Sequence, residues 1–174
     1  MLETDTARTL TALNATNEAI LYAKSPEELY VKVCEAAFSS EDFLAAAIFL
    51  HDPDTDLLRF VAGLGQHADL IRETKISVDP NVPEGLGVCG QAFRDGAIRF
   101  SNDYLNDSCS IAWRPGAAGG KVGAVAAMPL TCNGRRVGVF VVTKRGAGSL
   151  SEQAVSLLER ISKNVSFALD NFQH

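Results

Sequence analysis

Two strand-length runs, Val122–Thr131 and Arg135–Lys144, are separated only by Cys132-Asn133-Gly134. Asn-Gly readily takes the two positive backbone angles of a tight hairpin turn, and Val and Phe on either side suit a pleated, half-buried surface. A long antiparallel hairpin follows, and any fold must accommodate it. A second hairpin is predicted from Phe43–His51 and Leu57–Leu64, joined by Asp52-Pro53-Asp54-Thr55-Asp56. That Asp-x-Asp-x-Asp spacing also opens a calcium loop. Such a loop needs Gly at its sixth position and Glu at its twelfth, where Leu57 and Gly63 stand, so the segment reads as a turn.

Helical signals frame these hairpins. Leu10, Leu13, Ile20 and Leu21 recur at helical spacing over 6–23. Ser25-Pro26 with Glu28 is a helix start, with Ser as cap and Pro in the first turn, for a helix reaching about Phe38. Its stripe of Leu29, Tyr30, Val33, Cys34 and Ala37 makes Cys34 a small core residue. Ser149 and Glu152 form a second capping box before Val155, Leu158, Ile161, Val165, Ala168 and Phe172, which predict a helix almost to the chain end. Between the hairpins come a short helix or loop at 66–73, a strand at 75–78, a helix after Glu84 that Gly96 can terminate, and a strand at 97–100. A polar, Gly-rich loop over 101–121 carries the one Trp, and long loops in compact domains tend to be functional. The order gives an α+β fold, an antiparallel sheet packed by helices.

With 174 residues, 47% of them hydrophobic, the chain has the length and apolar content of a single folded domain over 1–174. Sixteen Lys and Arg against 21 Asp and Glu give a net charge of −5, with no basic block to meet nucleic acid. The apolar stretches 43–50 and 122–130 are too short to span a bilayer, so no membrane insertion of this segment is expected. The start Met1-Leu-Glu-Thr-Asp is acidic where a signal peptide is basic, so a cytoplasmic location is expected. Cys34, Cys89, Cys109 and Cys132 are widely spaced, with no Cys-x-x-Cys pair and no His at ligand spacing, which points to reduced thiols and no metal site.

Gly85-x-Gly87-x-x-Gly90 matches a dinucleotide fingerprint, but it follows a Pro-broken loop and lacks a parallel-sheet context. His51 and His67 each lack a second ligand or a haem motif and read as a strand-end residue and a loop residue. In the loop 102–114, Asp103, Trp113 and Arg114 combine an anion, an aromatic plate and a cation with five donors. That set suits a small polar ligand. Equally, Trp113 could seal the core and Arg114 pair with an acidic neighbour.

Several stretches, in order, resemble a GAF domain, the small-molecule sensory module of bacterial signalling proteins. They are Glu84-Gly-Leu-Gly-Val-Cys-Gly-Gln-Ala-Phe, Ile98-Arg-Phe-Ser-Asn-Asp-Tyr-Leu-Asn-Asp, Trp113-Arg114, Val125-Ala-Ala-Met-Pro-Leu and Val137-Gly-Val-Phe-Val-Val, within a core of about 10–172. The ending Asn164-Val-Ser-Phe-Ala-Leu-Asp-Asn-Phe resembles the helix that leads into GGDEF or EAL output domains of cyclic-di-GMP proteins. The resemblance implies a GAF-like (profilin-like) six-stranded antiparallel sheet, with terminal helices on one face and a ligand pocket with its lid on the other. It further implies a non-catalytic sensor controlling a fused cyclic-di-GMP cyclase or phosphodiesterase, or a kinase. Members bind cyclic nucleotides, bilins, haem or other small molecules, so ligand and cofactor stay open.

One branch of the family, the free methionine-(R)-sulfoxide reductases, offers an enzymatic alternative, because Gly87-Val88-Cys89-Gly90 resembles its resolving-cysteine segment and Cys109 would be the nucleophile. Ser110-Ile111-Ala112-Trp113 replaces the Asp and the later Ser-x-Ser-Glu of that branch. The cyclic-nucleotide signature is missing, and Asp107-Ser108-Cys109-Ser110 lacks the aromatic residue of a bilin-attachment motif. The expected ligand site is a lid of Cys89, Phe93, Asp103, Cys109, Trp113 and Arg114, with Met128 below on the sheet. Leu13, Ile20, Leu158, Ile161, Val165 and Phe172 are expected to form the seam of a homodimer, through which lid movement would tilt paired helices. A ligand-free dimerisation scaffold is the remaining alternative.

Overall fold

The computed structural model describes residues 2–38, 43–65, 68–113 and 121–172. The elements are α1 (Leu2–Tyr22), α2 (Pro26–Phe38), β1 (Ala45–Asp52), β2 (Leu57–Gly65), α3 (Ala68–Glu73), β3 (Ile76–Ser77), α4 (Val88–Asp95), β4 (Arg99–Ser101), β5 (Val122–Cys132), β6 (Arg135–Arg145) and α5 (Glu152–Phe172). The strands form one six-stranded sheet in the order β3-β2-β1-β6-β5-β4, with every pairing antiparallel. Both predicted hairpins are present. Asn133 and Gly134 take φ of 54° and 79°, which closes β5 onto β6 in the turn their chemistry favours. In the other turn Asp54 N donates to Asp52 Oδ1 at 3.0 Å and Arg59 Nε to Asp52 Oδ2 at 2.8 Å, so that aspartate is occupied in holding the turn.

Strand side chains alternate faces, and here both faces are covered. Ala46 and Ile48 of β1, Ala124, Ala126, Met128 and Leu130 of β5, and Phe140 and Val142 of β6 point toward α1, α2 and α5. Ala47, Phe49, Val125, Ala127, Val139 and Val141 point the other way, toward α4 and the loops around it. The sheet therefore divides the protein into a helix side and a lid side.

Ser25 caps α2 as predicted, its Oγ accepting from Glu28 N at 3.1 Å. The cap of α5 differs from the sequence expectation. Ser151, and not Ser149, accepts from Ala154 N at 3.1 Å, while Ser149 Oγ donates to Gly146 O at 2.7 Å. Either serine has the required chemistry, and the tight turn through Gly146 and Gly148, at φ of 86° and 76°, commits Ser149 to closing the connection.

Farther along α5, three polar side chains four residues apart grip the sheet. Ser162 Oγ donates to Pro129 O at 2.6 Å, Thr131 N donates to Ser166 Oγ at 3.0 Å, and Asn133 N donates to Asp170 Oδ1 at 2.6 Å. β4 pairs only with Val125–Ala127, so α5 supplies partners to β5 beyond the reach of β4.

The expected dimer seam is corrected by this arrangement. Leu158, Ile161 and Val165 are 0% exposed and Leu13 is 4% exposed, all within the helix-side core of the same chain, and Ile20 and Phe172 pack against it. A helix lying on a sheet shows the same three-and-four stripe as a coiled-coil seam, and here the sheet uses it. Leu157 and Leu169, which lie off that stripe, join the same core. α1 lies beside α5, with Asn164 Nδ2 donating to Asn17 Oδ1 at 2.9 Å. Among the described residues, the large apolar side chains left in water on these helices are Leu10, Leu21, Tyr22 and Phe167. Among the described residues no helix is long and apolar enough to cross a membrane.

Candidate functional site

The lid side is assembled from short, glycine-dependent pieces. Pro83–Gly85 forms one 3-10 turn before α4, and a Cβ on Gly85 would lie 1.8 Å from the Asp79 carbonyl oxygen. One on Gly90 would lie 2.7 Å from the carbonyl oxygens of Gly85 and Ser77. The spacing that matches a dinucleotide fingerprint thus serves backbone against backbone. Arg94 fastens the pieces, its guanidinium donating to Val78 O at 2.9 Å and Gly85 O at 2.7 Å. Gly96, at φ 65°, ends α4 as the sequence predicts.

The lid segment after β4 contains 3-10 turns at Tyr104–Asn106 and Ser108–Trp113. Trp113 lies over Gly87, whose added Cβ would be 2.4 Å from the indole ring, and Trp113 Nε1 donates to Lys75 O at 3.1 Å. Below it, Cys89, Tyr104 and Cys109 are buried in one apolar cluster with Val88, Ala92, Val125 and Val139. Burial pushes the Cys89 thiol up to about 12, with Cys109 contributing further. Tyr104 is also raised, first by burial and then by the two cysteines. Phe93 packs against the cluster, and its ring lies 4.6 Å from that of His51.

Four predicted site residues, Cys89, Phe93, Cys109 and Trp113, are therefore brought together. Asp103 is exposed at the start of the lid, and its carboxylate accepts from Asn106 Nδ2 at 3.0 and 3.2 Å, so it serves its own turn. Met128 is corrected: it is 0% exposed on the helix side, one residue out of phase with Val125 and Ala127 on the lid side. There it floors an open groove of about 530 Å³ between α5 and the β4–β5 edge, with Ile98, Pro129, Lys163 and Phe167. Arg114 and His67 lie outside the described residues. His51 is a strand-end residue whose Nε2 is 3.1 Å from Asp56 Oδ1.

Sequence reasoning missed Phe60, Ile71 and Arg72. Phe60 and Ile71 pack against the lid-side cluster, Phe60 meets Phe49 edge-on at 5.7 Å, and the Arg72 guanidinium sits 4.9 Å from the Phe60 centroid. The alternation of β2 carried this signal, since Phe60 and Leu58 share a face. Aromatic plates, small apolar residues and one cation at the margin are groups that act by stacking and shape rather than by acid–base chemistry. Among the described residues no group of three His, Cys, Asp or Glu could hold a metal ion.

The protein is similar in fold to several solved structures. Free methionine-R-sulfoxide reductase from Neisseria meningitidis, in complex with its substrate, has a TM-score of 0.80 at 18% identity, over 97% of this chain and 92% of that one. The GAF domain of a phosphoenolpyruvate-protein phosphotransferase from Coxiella burnetii gives 0.76 at 13%, over 97% and 96%. The corresponding Acinetobacter GAF domain gives 0.71 at 14%, over 95% and 94%. No curated protein matches the sequence. The sequence profile of the GAF domain matches residues 23–170, so the sheet, the two faces and the lid are those of a family member: this chain belongs to the GAF domain family.

Proposed function

We propose that this domain is a non-catalytic small-molecule sensor in a cytoplasmic signalling protein, with its ligand held between the lid and the sheet. The observation that carries the reading is the condition of the cysteines. A reacting thiol needs ionisation and access to substrate, whereas Cys109, the would-be nucleophile, and Cys89 are both buried in one apolar cluster, and burial pushes the Cys89 thiol up to about 12. Such a pair suits a pocket wall better than a reaction. The reductase reading rests on the fold shared with the Neisseria enzyme and on the position of Cys89, and it lacks that branch's Asp and Ser-x-Ser-Glu segments.

The test is a thermal-shift screen of small polar and aromatic metabolites, with methionine sulfoxide among them, alongside a turnover assay with a thiol-regenerating system. A bound ligand at 100 times its Kd stabilises the fold by about 2.7 kcal/mol, and Trp113→Ala is expected to reduce that shift. Turnover of the sulfoxide that disappears in both Cys89→Ser and Cys109→Ser would make the protein an enzyme instead.

The resemblance of the last helix supports an output domain beyond it, a cyclic-di-GMP cyclase or phosphodiesterase or a kinase. The homodimer moves to a different surface from the one first expected. Leu21 of α1 is 78% and Phe167 of α5 is 67% exposed, and we take these two side chains as the apolar contacts offered to a second copy. Sedimentation at micromolar concentration is expected to give a dimer, and Leu21→Glu with Phe167→Glu a monomer of unchanged melting temperature. A wild-type monomer under those conditions overturns the dimer.

A further inference from the structure

We propose that Asn102 is the mechanical link between the lid and the output helix, a role that rests on the sensor reading above. Asn102 is the first residue after β4, at the root of the lid, and it makes three hydrogen bonds to the connection between β6 and α5. Its Nδ2 donates to Leu150 O at 2.8 Å, its Oδ1 accepts from Leu150 N at 2.9 Å, and its backbone carbonyl accepts from Gly148 N at 2.6 Å. The side-chain amide thus imitates a β-ladder pair across 48 residues of sequence, offering one donor and one acceptor to both polar groups of one residue.

The location gives this clamp its meaning. Leu150 is buried in the helix-side core and lies two residues before the start of α5, so whatever moves Leu150 moves the root of the helix. Eleven residues beyond Asn102, Trp113 closes the lid over Gly87 and ties it to Lys75 O. The lid therefore spans from the candidate ligand site at one end to the helix root at the other. The preceding residue, Ser149, is held separately by Lys144 Nζ donating to its carbonyl at 2.9 Å and by its own bond to Gly146 O, so the clamp acts on Leu150 and the first turn of α5. The device has two arrangements: clamp made with the lid closed, and clamp broken with the lid displaced. A ligand that binds one lid state better shifts the helix root by the same free-energy difference.

Amide hydrogen exchange on the whole chain tests this without any ligand, so a failed ligand screen and a failed coupling remain distinguishable. Each clamp bond contributes modestly to stability, and losing both is expected to speed exchange at Leu150 and the first turn of α5 about tenfold in Asn102→Ala. Trp113→Ala, which loosens the far end of the lid, is expected to speed the same amides, and the double variant to add nothing further. If Asn102→Ala does not fold, Asn102→Asp, which keeps the acceptor for Leu150 N and loses the donor, replaces it in the cycle. No change at these amides in Trp113→Ala, or a full further increase in the double variant, would overturn the proposal.

Discussion

Leu158→Glu is expected to abolish folding, with insoluble expression or a chain lacking a cooperative melt. Leu158 is 0% exposed between α5 and the sheet, alongside Ile161 and Val165. Replacing it removes a fully buried apolar side chain, worth about 2–5 kcal/mol, and sets a carboxyl within the apolar helix-side core. A domain of this kind is stable by only about 5–15 kcal/mol, so the combined loss approaches the whole margin. Val165→Glu is expected to behave alike, whereas Phe167→Glu, two residues away and exposed, should melt normally. A Leu158→Glu protein that folds and sediments as a monomer would restore the original seam and contradict the packing described here.

Alkali should weaken the domain steeply. Cys34 and Cys89 are each pushed up to about 12 from an ordinary thiol value of 9.0, by burial first and then by Glu35 and Cys109 respectively. Below pH 9 both thiols are protonated in folded and unfolded chains alike, and the shift has no effect on stability. Between pH 9 and 12 the unfolded chain releases these protons and the folded one retains them, so stability falls as pH rises. Two such groups remove about 3 kcal/mol by pH 10. Urea midpoints at pH 7.5 and pH 10, under reducing conditions, check this, and Cys34→Ala with Cys89→Ala should flatten the dependence. Tyr104, raised in the same direction, extends the fall above pH 10.

Local signals made much of the fold legible. Asn133-Gly134, Ser25-Pro26 with Glu28, and Gly96 each specify a backbone conformation within a few residues, and each element forms as they specify. The faces were harder, because β5 is apolar on both sides, and nothing in Val125-Ala-Ala-Met-Pro-Leu reveals which parity meets the lid. Met128 was lost to that ambiguity. The stripe on α5 misled for a related reason, since periodicity shows that a face is buried and not what buries it. Asn102 carried no local sign at all, its partner being 48 residues distant.

The three grips of Ser162, Ser166 and Asp170 behave as a vernier. Four residues of helix advance about 6.0 Å, while two residues of strand advance about 6.7 Å, so each successive rung falls about 0.7 Å out of step. Over Pro129, Thr131 and Asn133 the error is absorbed, with all three bonds between 2.6 and 3.0 Å. A slip of α5 by one rung toward its C-terminus would set Leu158 against the Pro129 carbonyl and leave that oxygen without its hydroxyl donor. The helix is thereby indexed against sliding along the sheet, and its C-terminal half is held at three points over about 12 Å.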